Sequence, residues 1–597
     1  MAADIRTAFA SKRYKFAEDE LEDRCASLAI RHDVTPEEFA FEYERLMTIR
    51  AASGNLVTED GLELLEHELD RTKAKRAAKR PAPSSVAILA DSTNRNPTTP
   101  GRLPASASKT TPASMVPKTP SSAFHSRSQA GQVIKTLNEH LDMSSSSDAQ
   151  PVEVEGRERC KVESLGSGPR RGQKYMANRI ADRVMYLEQR MNGFAAALEQ
   201  TQATSADKSL SNPGQEPEWV VGRIVCDSEG HLNASSVLLE GSLQRMQGCS
   251  VKLDLSQLPS YRLFPGQVVA VKGPHVAGDG LRAQQLVTRI PQPLPRSQPQ
   301  ALSRYASATG AAGMSMVVAA GPFTTSADID YEPLAALLAV CRERQPDVLV
   351  LLGPFVDGEQ PLLARGCVEL TFEEIFESQV LAKLRDFVEE DSCRTSIVLL
   401  PSIRDVHHDP VFPQPPFQSA LPGSIHTLTN PATFRVNDIT IGGATHDVLK
   451  QVAAQEIAKG PTPDRMAAIA SHIIGQRSYY PLYPPPLGAC LDTSLGQALE
   501  MPCTPDIMLF PSDLAPFAKL VQCGASLDQA ASSAGDPKTV CINPGRLVKD
   551  KSGATYAWLQ VAPYTVAADA AQSAATQPDG TLPHRVDERC YVEIRRI

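Results

Sequence analysis

Several features that mark other protein classes are missing from this 597-residue chain. It has no run of 18 apolar residues, so we expect no membrane-spanning helix. The N-terminal stretch MAADIRTAFASKRYKF lacks the apolar core of a signal peptide, which argues against secretion. None of the twelve cysteines forms a Cys-x-x-Cys pair, so neither a zinc ribbon nor a redox motif is readable. The net charge of −9 is modest and argues against a nucleic-acid coat.

Residues 1–78 have the pattern of a small helical domain. VTPEEFAFEYERLM begins with a capping box, and VTEDGLELLEHEL repeats the same plan. Apolar side chains then follow at helical spacing: Phe39, Tyr43 and Leu46 in the first stretch, and Leu62, Leu65 and Leu69 in the second. A bundle this small predicts protein docking rather than catalysis.

A basic cluster, RTKAKRAAKRP, ends this domain. Two interpretations fit it, a nuclear import signal or a solvated helix end. The cations of the candidate signal are Lys73, Lys75, Arg76, Lys79 and Arg80.

Residues 79–168 are rich in Ser, Thr, Pro and Ala and poor in large apolar residues, which predicts a disordered linker. The linker carries Thr-Pro pairs at Thr99, Thr111 and Thr119. TPGR at Thr99 fits the full pattern of a proline-directed kinase site. Phosphorylation there would add up to about two negative charges to the tether. Such pairs are also common in linkers by composition alone.

A helix is predicted within 169–205, followed by five short strands between 218 and 295. Five strands at this spacing suit an OB-fold barrel. Barrels that hold single-stranded nucleic acid need a basic groove with stacking aromatic side chains. Here cations and carboxylates nearly balance, and the aromatics are Trp219, Tyr261 and Phe264. The sequence therefore favours a protein-binding barrel.

From 312 to 597 continuous apolar strands alternate with helices, which indicates an α/β domain. TFRVNDITIGG predicts a hairpin that turns at Asn437-Asp438. Sites in such folds form at the carboxyl ends of strands. Those ends read AAGPF, GPFVD, PSIRD, PSDL and NPGR.

This succession resembles the calcineurin-like metallophosphoesterases, whose strand ends carry the ligands of two metal ions. The resemblance implies the same α/β sandwich, but nearly every ligand has changed. Asp357, Asp405 and the turn at Asn543 remain, and Arg404 would bring a permanent cation into a metal position. We therefore expect no catalytic residue, no metal and no cofactor. The degenerate positions are Ala320, Pro322, Pro354, Asp357, Ile403, Arg404, Asp405, Ser512 and Leu514.

The stretch LLPSIRDVHHDPVFPQPPF places His407 and His408 just beyond these positions. Neighbouring residues of an extended chain point to opposite sides, so the two imidazoles should not face one ion. The prolines that follow predict an extended, solvated rod. Asp405 is expected to be ion-paired or to cap a turn.

Several long motifs occur in one order: VGRIVCDSEGHLNASSVLLEG, LFPGQVVAVKG, GPFTTSADIDYEPL, PDVLVLLGPFVD, QRSYYPLYPP and CINPGRL. They resemble the B-subunit family of DNA polymerase alpha, over roughly residues 218–560. The resemblance implies a nuclear, non-catalytic subunit of the polymerase alpha–primase complex, with DNA contacted mainly through that complex. It also implies binding to the zinc-carrying C-terminal domain of the catalytic subunit, association with primase, and recruitment of other replication factors by the N-terminal domain.

Two further alternatives stay open at this point. Tyr479, Tyr480 and Tyr483 form either an exposed anchor for a partner or part of the internal packing. A working metallophosphatase would need unusual ligands such as His407, His446 and His472. The fold class predicted is thus multidomain α+β: a helical domain, a disordered linker, an OB-fold barrel and an inactivated calcineurin-like phosphoesterase sandwich.

Overall fold

The computed structural model describes most of the chain beyond residue 121. The described ranges are 122–141, 159–202, 214–276, 280–390, 393–419, 421–522, 538–565 and 580–597, without positions 167, 170, 171 and 229. Nearer the N-terminus it describes residues 19–32 and isolated positions between 5 and 65. The chain divides into two units, Met1–Ser114 and Met115–Ile597.

The first unit contains strands β1 (Lys15–Phe16) and β2 (Leu56–Val57), which pair in parallel, and helix α1 (Asp19–His32). Four side chains expected on the apolar faces are fully buried in one cluster: Phe39, Tyr43, Leu62 and Leu65. The packing of apolar stripes against each other accounts for this core. Leu46, Leu69 and the basic cluster from Lys73 to Arg80 lie outside the described residues.

The second unit begins inside the predicted linker, so the prediction that 79–168 is disordered throughout is wrong. Helix α2 (Ser122–His125), strand β3 (Val133–Leu137), a 3-10 turn (Glu139–Leu141) and strand β4 (Val162–Leu165) belong to this unit. β3 and β4 gain their hydrogen bonds from strands about 460 and about 270 residues further along the chain, respectively, so local composition could not reveal them. Thr99, Thr111 and Thr119 lie outside the described residues.

Helix α3 (Ile180–Gln202) leads into a closed barrel of five strands. Its elements are β5 (Gly214–Cys226), β6 (Val237–Gly241), α4 (Leu243–Met246), β7 (Ser250–Asp254), β8 (Tyr261–Leu263), β9 (Val268–Val276), β10 (Gly280–Arg282) and β11 (Gln285–Val287). β10 pairs with β7 in parallel and with β9 antiparallel, and β11 continues along β9, so β10 and β11 act as one strand that closes the barrel. This is the OB-fold that the sequence predicts.

The rest of the unit alternates strands and helices. They are β12 (Arg296–Ser297), α5 (Pro299–Thr309), β13 (Met314–Ala320), α6 (Glu332–Arg344), β14 (Val348–Leu352), α7 (Pro361–Ala364), α8 (Phe372–Ile375), a π-helical turn (Phe376–Leu381), α9 (Ala382–Val388), β15 (Ser396–Leu400), β16 (Ile425–Thr427), β17 (Ala432–Val436), β18 (Ile439–Gly443), α10 (Val448–Gln455), β19 (Ile457–Lys459), α11 (Arg465–Gly475), a 3-10 segment (Thr493–Leu499), β20 (Ile507–Leu509), β21 (Phe517–Gln522), β22 (Lys538–Asn543), β23 (Val548–Lys549), β24 (Ser552–Gly553), β25 (Thr555–Val561), β26 (Leu582–Pro583), α12 (Val586–Arg589) and β27 (Cys590–Arg596).

Two sheets face each other in this part of the chain. One has the order β16-β15-β14-β13-β25-β27-β3 and the other β21-β22-β20-β18-β17-β4. The apolar side chains between them form one buried core, while separate clusters join the outer faces to helices, so the layers run helix, sheet, sheet, helix. β17 and β18 form the hairpin predicted at Asn437, whose φ of 55° suits the tight turn.

The barrel is fastened to the sandwich by polar contacts as well as by packing. β8 pairs with β19 of the sandwich, and Arg262 Nη1 lies 2.9 Å from both carboxylate oxygens of Glu456. Gln476 accepts from Val268 N at 2.8 Å and donates to Val268 O and Thr288 O at 2.7 and 2.8 Å. A buried side-chain amide with all these hydrogen bonds fixes the position of one domain against the other. No described helix is long and apolar enough to cross a membrane.

Gln476→Leu should weaken the joint between barrel and sandwich. Leucine has a side-chain volume similar to that of glutamine but cannot bond to Val268 N, Val268 O or Thr288 O. Each backbone group left without a partner costs about 1–3 kcal/mol of stability. We expect the free energy of unfolding to fall by at least about 3 kcal/mol in a denaturant titration. Gln497→Leu, at an exposed position, is the control and should cost less than about 0.5 kcal/mol. Equal effects of the two changes would contradict the interpretation.

Candidate functional site

The positions that the sequence analysis compared with metal ligands lie at and just after the carboxyl ends of β13, β14, β15 and β20. The first two strand ends touch, because a Cβ at Gly321 would lie 2.0 Å from Pro354 O. Asp357 and Asp405 form a backbone bridge, so the ends of β14 and β15 also meet. The backbone carbonyl of Ala320 accepts a hydrogen bond from Leu547 N at 2.7 Å. Pro322 and Pro354 offer no side-chain ligand.

Arg404 makes the central ion pair of this site. Its Nε lies 3.0 Å from Asp357 Oδ1, its Nη2 lies 2.5 Å from Asp357 Oδ2, and the same Nη2 reaches Glu359 at 2.9 Å. The Asp357 side chain is 5% exposed. Burial opposes the charge on Arg404, but Asp357 and Glu359 outweigh it and raise the pKa of the guanidinium. A bidentate pair of this kind uses both oxygens of the carboxylate that a metal would need.

Asp405 caps a turn, and among the described residues it has no ion pair. It accepts from the backbone N–H groups of Phe355, Val356 and Ser402 at 2.5, 2.9 and 2.8 Å. Burial raises the pKa of Asp405 to about 7, against the lowering effect of these three donors. Of the two roles that the sequence left open, turn capping is therefore the correct one.

The end of β20 is closed by side chains of the neighbouring turn. Asn543 Oδ1 accepts from Ser512 N at 3.1 Å and from Gly545 N at 2.9 Å. Leu514 N donates to Ser512 Oγ at 3.1 Å. The asparagine and the serine therefore hold the chain in its turn, and Leu514 and Ile403 pack against the apolar cluster on the outer face.

Three ionic groups that the sequence reasoning missed surround this end. Asp513 lies 2.7 Å from Lys450 Nζ and 3.0 Å from Arg546 Nε. Burial favours the neutral acid, but the two cations outweigh it and lower the pKa of Asp513 to about 2. Asp513 and Arg546 follow strand ends within a few residues, which is the sequence signal that could have found them.

His407 and His408 do not occupy the site. The prediction that they point to opposite sides of an extended chain is wrong. The chain turns here, and the ring centroids of both histidines lie 5.0–5.3 Å from the ring centroid of Phe417. His408 Nε2 lies 2.8 Å from Pro415 O. The following stretch, 411–417, is mostly buried, so the solvated rod is wrong as well.

The other two histidines of the phosphatase alternative lie in different surroundings. His446 stacks on Phe412 and its Nε2 lies 3.1 Å from Gln451 Oε1. His472 Nδ1 lies 3.3 Å from Gln267 Nε2 at the joint with the barrel. Within the described ranges, no group of three or more His, Cys, Asp or Glu residues could hold a metal ion. The three histidines are therefore not a ligand set.

The tyrosine loop, which carries Tyr479, Tyr480 and Tyr483, belongs to the internal packing. Tyr479 and Tyr480 are 2% and 0% exposed, and their hydroxyl groups lie 2.6 Å from Thr433 Oγ1 and Gln451 Oε1. Tyr483 is partly buried against the same cluster, beside the guanidinium of Arg223. These rings fill the outer face of the second sheet and do not form an exposed anchor.

Arg404→Met should destabilise the protein, because it leaves the Asp357 carboxylate buried without a cation. Allowing for partial exposure of Arg404, we expect a loss of about 2–4 kcal/mol in denaturant unfolding. Adding Asp357→Asn should recover most of the loss. Arg385→Met removes an ion pair with the exposed Glu377 and should cost less than about 1 kcal/mol. A double variant as unstable as the single one would contradict the role of the pair.

His407→Phe should reduce acid sensitivity. Burial lowers the pKa of His407 from 6.5 to about 3, so between these values the unfolded chain binds a proton that the folded chain does not. Stability is therefore lost as the pH falls below 6.5. Phenylalanine keeps an aromatic ring between Phe376 and Phe417 but does not titrate. The loss of unfolding free energy between pH 7 and pH 5 should therefore be smaller in the variant than in the parent, by about 1–2 kcal/mol. An unchanged difference would contradict the prediction.

Comparison with known proteins places the chain in a family. The sequence model for the B subunit of DNA polymerase alpha/epsilon matches residues 316–519, and that for the OB domain of the DNA polymerase alpha B subunit matches 185–289. The DNA polymerase alpha B subunit of Mus musculus is 35% identical over 74% of this chain and 71% of its own. The Schizosaccharomyces pombe protein of the same name is 31% identical, over 73% and 75%. The chain therefore belongs to the B-subunit family of DNA polymerase alpha.

Proposed function

We propose that this protein is a non-catalytic accessory subunit of DNA polymerase alpha–primase. In this role it binds the C-terminal domain of the catalytic subunit and supports synthesis of RNA–DNA primers when replication begins. The single observation that carries the proposal is the Arg404–Asp357 ion pair, which puts a fixed cation where a hydrolase would hold metal ions. The names of the relatives supply the polymerase and the accessory role.

The sandwich is proposed to be an inactivated phosphoesterase. Four layers, with the altered positions gathered at the carboxyl ends of strands, support this origin. The remaining acids are engaged, since Asp357 pairs with Arg404 and Asp405 accepts three backbone donors. A rigid body of this kind presents a large surface for other subunits without turning over a substrate.

The barrel is proposed to bind protein rather than single-stranded DNA. The three aromatic side chains that could stack on bases are buried, Trp219 and Tyr261 at 7% exposure and Phe264 at 0%. Arg223 pairs with Glu240, Arg282 with Asp254 and Arg245 with Glu199. With its rings covered and these three arginines paired with carboxylates, the barrel is a poor match to a groove that stacks bases and binds phosphates.

The remaining parts of the proposal rest on the sequence. We propose that the N-terminal unit recruits other replication factors, that Lys73 to Arg80 direct the protein to the nucleus, and that Thr99, Thr111 and Thr119 are phosphorylated. A phosphate there would add up to about two negative charges and so alter which partners the N-terminal unit can engage.

Affinity purification of the tagged full-length chain tests the proposal. We expect the catalytic subunit and both primase subunits to copurify in near-equal amounts and to survive moderate salt. The same preparation should show no phosphodiesterase turnover with Mn²⁺ or Fe²⁺. Stoichiometric bound metal with turnover abolished by His408→Ala would overturn the proposal, as would purification without any polymerase subunit.

A further inference from the structure

Helix α3 carries one continuous apolar stripe, and only part of it is covered. Large apolar side chains recur at the helical period along one face: Ile180, Val184, Leu187, Met191, Phe194 and Leu198. From Met191 onward the stripe is buried against the barrel. Ile180 and Val184 lie before this contact and are 82% and 37% exposed. The first turns of the helix therefore keep an apolar face that the described residues leave uncovered.

Neighbouring side chains enlarge this uncovered face. Met176 precedes the helix and is 56% exposed, and Met185 on the second turn is 58% exposed. Leu243, the first residue of α4, is 54% exposed, and its N–H donates to Glu188 Oε1 at 2.7 Å, one turn after Val184. Half of the large apolar side chains that are exposed in the described ranges belong to this set, which we call the α3 patch: Met176, Ile180, Val184, Met185 and Leu243.

A groove of about 660 Å³ borders the α3 patch on the side of Met185. It lies between α3 and the 3-10 segment Thr493–Leu499, and Asp182 and Gln189 of the helix also line it. One ridge of side chains on a partner helix can enter such a groove while the next ridge covers Ile180. The patch and the groove together therefore suit a helix better than a flat surface.

The charges around the α3 patch are predominantly positive. Lys174, Arg179 and Arg183 are exposed, and in the described part of the chain none of the three has an ion-pair partner. The acids nearby are engaged by backbone groups, since Asp182 Oδ2 accepts from Arg179 N at 2.8 Å and Glu188 accepts the first N–H of α4. The α3 patch therefore favours a partner that carries carboxylates beside its apolar face.

We propose that the α3 patch docks an acidic amphipathic helix of a partner protein. The apolar face of that helix covers Ile180 and Val184, and its side chains enter the groove beside Met185. Carboxylates on its flank pair with Arg179 and Arg183. The contact continues the helix face that already packs on the barrel. The inference goes beyond the proposed function and does not depend on which protein supplies the helix.

Two other occupants fit the α3 patch less well. A second copy of this chain would bring its own exposed cations against Arg179 and Arg183, and like charges repel. An anionic membrane would match the charge, but a flat lipid surface would leave the groove beside Met185 unfilled. An acidic helix satisfies the charge, the apolar stripe and the groove at once.

Fluorescence anisotropy with the full-length protein tests the inference. The probe is a fluorescein-labelled helical peptide of five turns, with leucine along one face and glutamate on both flanks. The comparison peptide has the same composition in an order that scatters the leucines around the helix. We expect saturable binding of the amphipathic peptide, with a Kd below about 1 mM that rises with salt, and at least about fivefold weaker binding of the scattered peptide.

Ile180→Gln with Met185→Gln tests the apolar contact. Loss of two apolar side chains from the interface should weaken binding of the amphipathic peptide at least about tenfold. Leu370→Gln with Leu487→Gln is the matched control, because these leucines are exposed on other segments. It should change the Kd less than about twofold.

Arg179→Gln with Arg183→Gln tests the charge. Loss of two screened ion pairs should weaken binding at least about threefold and reduce its dependence on salt. Arg304→Gln with Arg365→Gln removes the same charge from exposed positions on α5 and just after α7, and should change the Kd less than about twofold.

Five outcomes would overturn the inference. Three are the absence of saturable binding, equal affinity for the two peptides, and equal effects of a double variant and its control. The fourth is binding to vesicles of phosphatidylcholine and phosphatidylserine that Ile180→Gln with Met185→Gln abolishes, which would make the occupant a membrane. The fifth is a dimer in sedimentation that the same variant abolishes, which would make it a second copy. All changed positions are exposed, so we expect circular dichroism melts of the variants and the parent to coincide.

Discussion

A buried carboxylate needs a counter-charge or several donors, and this requirement organises the strand-end face of the sandwich. Asp357 is held by the guanidinium of Arg404, and Asp405 is held by three backbone N–H groups. In a metal enzyme divalent cations meet the same requirement. Here the protein meets it with its own groups, so the loops at the strand ends are fixed without a metal ion.

The second constraint is the joint between barrel and sandwich. The side chain of Gln476 makes hydrogen bonds to the backbone N–H and C=O of Val268, and Glu456 forms an ion pair with Arg262. Strand β8 of the barrel also pairs with β19 of the sandwich. Helix α3 packs on the barrel through Met191, Phe194 and Leu198 and on the sandwich through Tyr186. Because polar bonds and apolar packing act together, the described parts of the second unit form one rigid support for the surfaces that partners would use.

The acidic groups at the strand ends are stabilised in two different ways. Asp513 lies between Lys450 and Arg546, so its charge is balanced by two cations. Asp405 has no ion-pair partner among the described residues and accepts three backbone N–H groups instead. Both arrangements satisfy the carboxylate oxygens with groups of the protein itself.

The sequence by itself determined the apolar strands, the hairpin at Asn437 and the five barrel strands, because each depends on residue type and local period. Only the tertiary structure decided what depends on residues far apart in the chain. β3 and β4 acquire their order from β27 and β17, and the tyrosine loop and the stretch 411–417 are buried by cores that no local pattern shows. The partner of Arg404 was undecided for the same reason, since Asp357 lies 47 positions before it and is brought within reach by the pairing of β14 and β15.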